Sequence, residues 1–176
     1  MDENVTKQTS SGMEALLEHI ERAGLDLTPR AETSSDGNCW YDAIADQIVL
    51  HNVPDLPTNH KDLRKAVVDS IPNLPQFKEW EEILKGQDDN MESFMKRHAQ
   101  LGTWTDDNGF MVQATVLYIG RPVHIVGTSN IGGENNMGYT VMETRHGSNT
   151  MKPFTVGYID GNHYQSLQEY LVFYAE

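Results

Sequence analysis

The stretch Asp36-Gly37-Asn38-Cys39-Trp40, followed by Ala43, Ile44, Gln47, Ile48 and Val49 at near-helical spacing, decides more about this chain than any other. It places Cys39 at or near the N-terminus of an apolar helix, directly after a turn. A thiol attacks as its thiolate, and its pKa falls at a helix N-terminus or beside an imidazolium. In such a turn the glycine relaxes the backbone, and peptide N–H groups beside a nucleophile are placed to receive the oxyanion of a tetrahedral intermediate. The alternative is plain: a lone cysteine opening an apolar helix is often a packed core residue, and Asp-Gly-Asn is ordinary turn vocabulary. Cys39 is the chain's one cysteine, so neither an internal disulfide nor a cysteine-based zinc site can form within it.

Upstream, Met13, Leu16, Leu17 and Ile20 predict a short amphipathic helix over Gly12–Ala23, after a polar lead-in at 1–11 taken as flexible. Leu25–Ser35, with Pro29 and a Thr-Ser-Ser run, has loop chemistry. Downstream, helices are expected at Leu63–Ile71, entered from Thr58-Asn59 and stopped by Pro72, at Phe77–Leu84, at Asp89–His98 and at Phe110–Ile119. Strands are expected at Pro122–Val126, Tyr139–Glu143 and Pro153–Tyr158, with a final apolar stretch at Tyr164–Tyr174. Gly127–Gly138 and Arg145–Thr150 are turn-rich connections. Helices early and strands late give an α+β class. With no internal repeat or long linker, residues 12–176 are taken as one domain.

The 176 residues carry 13 basic and 26 acidic side chains, a net charge of −13. That balance repels phosphate backbones and speaks against nucleic-acid binding. No run approaches eighteen apolar residues, and Met1–Ser11 lacks the order of a secretory signal, so the expectation is a cytoplasmic protein without a membrane span. Asp88-Asp89-Asn90 and Asp106-Asp107-Asn108-Gly109 carry calcium-loop residue types but lack the alternating ligands and terminal Glu, and are taken as turns or helix caps. Met91, Phe94 and Met95 at helical spacing are assigned to the core, and Gly132-Gly133 to a hairpin connection.

A cysteine nucleophile needs a base, and His19, His51, His60, His98, His124, His146 and His163 compete for that role. His163 has the best local context, between the turn Gly161-Asn162 and Tyr164 at a strand entry. His124 reads as structural, on an apolar strand. Within reach of His163, Asn162, Gln165, Ser166 and Asp160 are each able to hold the imidazole tautomer, and spacing does not choose among them.

Asp36-Gly37-Asn38-Cys39-Trp40 before a helix resembles the nucleophile motif of the ovarian tumour (OTU) deubiquitinases, and Gly161-Asn162-His163-Tyr164 resembles their histidine motif. Gly102-Thr103-Trp104, followed by Gly120-Arg121-Pro122-Val123-His124-Ile125-Val126, is similar to the family's central helix and following strand. The likeness spans about Ser34 to Leu171. It implies a papain-type fold with a small central β-sheet flanked by helices. It also implies hydrolysis, without cofactor or metal, of the isopeptide bond at the C-terminal glycine of ubiquitin through a thioester at Cys39.

By the same resemblance, His163 is the base, Asp36 supports an oxyanion loop containing Gly37 and Asn38, Trp40 packs behind the nucleophile and Trp104 near the histidine, and Trp40, Trp104 and Tyr164 bind substrate or support the site. The sequence departs from the family two positions after the histidine. Gln165 stands where Asn or Asp commonly orients the imidazole; Gln accepts the same hydrogen bond but is one methylene longer, and Gln165 is taken as the third catalytic residue, with Asn162 or a residue of the loop as alternatives. The expected partner is ubiquitin or polyubiquitin, bound by a monomer. The alternatives are a ubiquitin-binding module with little turnover, or a protease acting on another ubiquitin-like modifier or a polyprotein.

Overall fold

A computed structural model describes residues 3–30, 33, 36–105, 108–127, 139–142, 151–159 and 163–169. In chain order these form α1 (Glu3–Arg22), β1 (Leu27–Pro29), α2 (Cys39–Leu50), α3 (His60–Ser70), a 3-10 turn (Ile71–Asn73), α4 (Phe77–Gly86), α5 (Met91–His98), α6 (Phe110–Ile119), β2 (Val123–Gly127), β3 (Tyr139–Met142), β4 (Phe154–Ile159) and β5 (His163–Glu169). The class is α+β, as expected.

The strands make one sheet in the order β1-β5-β4-β2-β3. β2 and β4 run parallel, with Val123 opposite Phe154, while β3 pairs antiparallel with β2 and β5 with β4. The two-residue period of a strand sorts side chains to opposite faces. Val123, Ile125, Phe154 and Val156 point into the larger core, with α2, α3 and α6. Val126 and Ile159 point the other way, against Leu16 and Ile20 of α1. The contact with α1 is close at Gly157, where an added Cβ would lie 2.6 Å from Leu16 Cδ2.

Local signals account for most boundaries. Asn59 and Asn90 cap α3 and α5, each accepting a backbone N–H three residues on, at 2.9 Å. Gly109 and Gly120, both left-handed, bracket α6. Pro72 ends α3 as expected, and Ile71–Asn73 continues it as a 3-10 turn. Met91 and Phe94 are core, as expected.

Two expectations are corrected. The helix expected at Gly12–Ala23 begins at Glu3, so most of the lead-in at 1–11 is helical; it contains no proline or glycine to stop a helix, and Gly12 is tolerated at about 1 kcal/mol. Leu25–Ser35 is not wholly loop, because Leu27–Pro29 pairs antiparallel with β5, Pro29 opposite Leu167. A proline is admissible there because β1 is an edge strand. The expected connections Gly127–Gly138 (beyond Gly127) and Arg145–Thr150, with Gly132-Gly133, lie outside the described residues, as do Asp106-Asp107 and the end of the Tyr164–Tyr174 stretch.

Candidate active site

Cys39 is the first residue of α2 and is 1% exposed, so it is at once a helix N-terminal thiol and a core residue. The turn before it is closed by Asp36, whose Oδ1 accepts Asn38 N–H at 2.9 Å and whose carbonyl accepts Cys39 N–H at 3.2 Å. The Asn38 and Cys39 amides are therefore both held by Asp36.

The turn is fastened from below. Asn38 caps α2 without a side-chain bond to it, because its Oδ1 instead accepts Gly102 N–H at 2.7 Å and Arg64 Nη2 at 3.2 Å. Arg64 of α3 is 1% exposed and donates to Gly37 O, His98 O and Thr103 O, each at 2.9 Å. Its guanidinium lies 4.4 Å from the centre of the Tyr41 ring. Gly37 meets Gly102 so closely that a Cβ would fall 1.7 Å from Gly102 O; only glycine fits. One buried cation thus ties the nucleophile turn to the 98–103 segment.

β5 supplies the other half. The Tyr164 backbone amide, part of the peptide that joins it to His163, and the Trp40 amide both hydrogen-bond the Cys39 sulfur. Trp40 is buried, its indole N–H on Thr115 Oγ1 at 3.0 Å and its ring edge-on to Tyr164 at 4.8 Å. His163 is 9% exposed. Its Nε2 lies 3.2 Å from Thr33 Oγ1, while its Nδ1 is buried with no hydrogen-bond partner among the described residues. Gln165 is buried too; its Nε2 donates to Ser166 O at 3.1 Å and its Oε1 lies 3.5 Å from Thr33 Oγ1.

The electrostatics differ from what a helix N-terminus alone suggests. Burial dominates and raises the thiol pKa; the Tyr164 and Trp40 amides pull it down, and the charges of Asp36 and Asp42 push it up again. Burial likewise lowers the His163 pKa. Both shifts favour the uncharged forms, thiol and neutral imidazole.

Trp104 is 45% exposed, on the segment that Arg64 and Asn38 hold against the 36–38 turn. His51 stacks on Phe154, His98 lies tilted against Phe94, His124 lies on β2, and His19 and His60 on α1 and α3. Asp160, Gly161, Asn162 and His146 lie outside the described residues. A cavity of about 590 Å³ opens at the other end of α2, lined by Leu50, His51 and His124; with a rise of about 1.5 Å per residue, that is far from Cys39. No three His, Cys, Asp or Glu side chains converge as a metal site among the described residues.

Two residues at this site were not singled out from sequence. Arg64 carried a signal: it shares the helical face of Leu63, Val67 and Val68, where a charge must be compensated. Thr33 carried none beyond its place in a polar run.

The family model described as OTU-like cysteine protease matches residues 34–164, from the nucleophile turn through His163. The chain belongs to the OTU-like cysteine protease family. Among solved structures it is similar to the OTUD1 OTU domain, at 15% identity and a TM-score of 0.63, covering 92% of this chain and 99% of that one. An OTU deubiquitinase from Wolbachia pipientis wMel aligns at 11% identity and a TM-score of 0.57, over 82% and 89% of the two chains. An OTU domain in complex with ubiquitin aligns at 16% and 0.56, over 81% and 69%. No curated protein matches by sequence. At these identities the likeness establishes the expected OTU, papain-like fold: a small sheet with helices on both faces.

Proposed function

We propose that this OTU-family chain is a deubiquitinase, hydrolysing isopeptide bonds at the C-terminal glycine of ubiquitin with Cys39 as nucleophile and His163 as general base. The observation that carries it is the joint at β5. The peptide linking His163 to Tyr164 donates to the Cys39 sulfur, and the imidazole beside it keeps one ring nitrogen without a partner.

The chemistry is that of a neutral pair. The thiol proton passes to His163 as sulfur attacks the glycine carbonyl carbon, and the carbonyl electron pair moves onto oxygen. The oxyanion takes up N–H groups of the Asp36–Cys39 turn in place of Asp36. Collapse breaks the C–N bond, with the imidazolium giving its proton to the leaving lysine amine. Water, losing a proton to His163, then attacks the thioester; collapse releases the glycine carboxylate, and that proton returns to sulfur. The net charge of −13 suits a substrate with a basic tail.

One observation favours a second reading, a ubiquitin-binding module of low turnover: burial raises the thiol pKa above its ordinary value. Incubation with ubiquitin bearing a C-terminal thiol-reactive electrophile separates the two. A covalent adduct that Cys39→Ser prevents supports the enzyme; saturable ubiquitin binding with no adduct supports the module.

A further inference from the structure

We propose that Thr33 is the positioning residue of this site, fixing the His163 imidazole as the tautomer with its proton on Nε2 and its lone pair on Nδ1. This rests on the Cys39–His163 pair proposed above for the role of that lone pair, but not for its geometry.

The inference follows from counting protons. Thr33 Oγ1 lies 2.6 Å from Tyr164 O, 3.2 Å from His163 Nε2 and 3.5 Å from Gln165 Oε1. A hydroxyl has one proton, and a peptide carbonyl is only an acceptor. Two oxygens 2.6 Å apart need a proton between them, so the Thr33 proton lies on the bond to Tyr164 O. Toward Nε2, Thr33 then offers lone pairs alone, and a ring nitrogen facing a lone pair must itself donate. The neutral imidazole is therefore protonated at Nε2, and its basic nitrogen is Nδ1, the buried atom without a partner among the described residues. When Nδ1 takes up the thiol proton, the Nε2–H bond to Thr33 persists, so the ring keeps its orientation through the cycle.

The hydroxyl is held where it must be. Arg30 N–H bonds Ser166 O at 2.9 Å, extending the β1–β5 ladder by one residue toward Thr33. Arg30 also pairs with Asp46 of α2 at 2.8 Å, and Asp46 accepts the Ser166 hydroxyl at 2.6 Å. Arg30, three residues before Thr33, is thereby anchored to both β5 and α2. Thr33 is a neutral acceptor, so it orients the ring without a carboxylate's charge to stabilise the imidazolium. At the position where the family commonly has Asn or Asp, Gln165 meets the hydroxyl.

The test compares Thr33→Val, which keeps the shape and removes the acceptor, with Thr33→Ser, which keeps the acceptor. On ubiquitin–lysine isopeptide substrate, Thr33→Val lowers kcat by about 10²-fold with KM little changed, and Thr33→Ser recovers most of it. Nitrogen-15 NMR of the His163 ring at neutral pH reads the tautomer directly and needs no turnover. The expected spectrum has a protonated, pyrrole-type Nε2 and a pyridine-type Nδ1, lost or mixed in Thr33→Val and retained in Thr33→Ser. A wild-type proton on Nδ1, or a Thr33→Val protein with both unchanged tautomer and unchanged kcat, overturns the assignment. If no ubiquitin substrate is cleaved by the wild type, the proposed function fails, while the ring spectra still decide whether Thr33 sets the tautomer.

Discussion

Cys39 and His163 are both buried, and burial disfavours the charged form of each, raising the thiol pKa and lowering that of the imidazole. Without ubiquitin, alkylation of Cys39 should therefore accelerate as pH rises, with a midpoint above the ordinary thiol value of 9.0. Isopeptide cleavage should lose its acid limb below 6.5, because His163 stays neutral there longer than a free imidazole. Rapid alkylation persisting below pH 6 would instead reveal a preformed thiolate–imidazolium pair. At this scale the sequence carried the placement of Cys39 at the start of α2 and of His163 at the start of β5, since each stands in a compact local pattern. It did not carry Thr33, whose role arises only when β1 and β5 pair and bring residue 33 against residues 163–165. Nor did it carry the direction of the thiol pKa, which burial sets against the helix N-terminus.

α3 contributes one side chain that three carbonyls depend on. Arg64 satisfies Gly37 O, His98 O and Thr103 O together, and leaving buried carbonyls unpaired costs about 1–3 kcal/mol each. Arg64→Met should destabilise the protein by about 3 kcal/mol or more, read from denaturant midpoints at pH 7.5. Arg64→Lys should recover only part of this, because an ammonium lacks the planar fork that reaches acceptors on two segments. Equal stability of wild type and Arg64→Met would mean the turn holds itself. Helices were legible because their signals are local: Asn59 at the entry of α3, Asp88-Asp89-Asn90 as a turn or cap before α5, and Pro72 as a stop. β1 was not, since three residues ending in proline gain strand character only from their partner.

Across the molecule the same buried groups shape stability against pH. His163 and His51 have lowered pKa values in the folded state, so below 6.5 the unfolded chain binds more protons and stability falls as pH drops. Cys39 has a raised one, so above 9.0 the unfolded chain loses its thiol proton first and stability falls as pH climbs. Denaturant midpoints should plateau between about 6.5 and 9, and Cys39→Ser should show a shallower alkaline decline than wild type. Identical alkaline declines would contradict the buried thiol. The order β1-β5-β4-β2-β3, with β2 and β4 parallel, is a property of this scale. Strands at β2, β3 and β4 were legible from apolar runs, but which strands become neighbours depends on how the two cores close over opposite faces of the sheet.

The most direct measurement of the central claim is mass spectrometry of the protein after incubation with ubiquitin carrying a C-terminal thiol-reactive electrophile. The prediction is a gain of one ubiquitin, mapped to Cys39, that Cys39→Ser abolishes and His163→Ala slows strongly. A folded wild-type protein that binds ubiquitin and gains no adduct would contradict it.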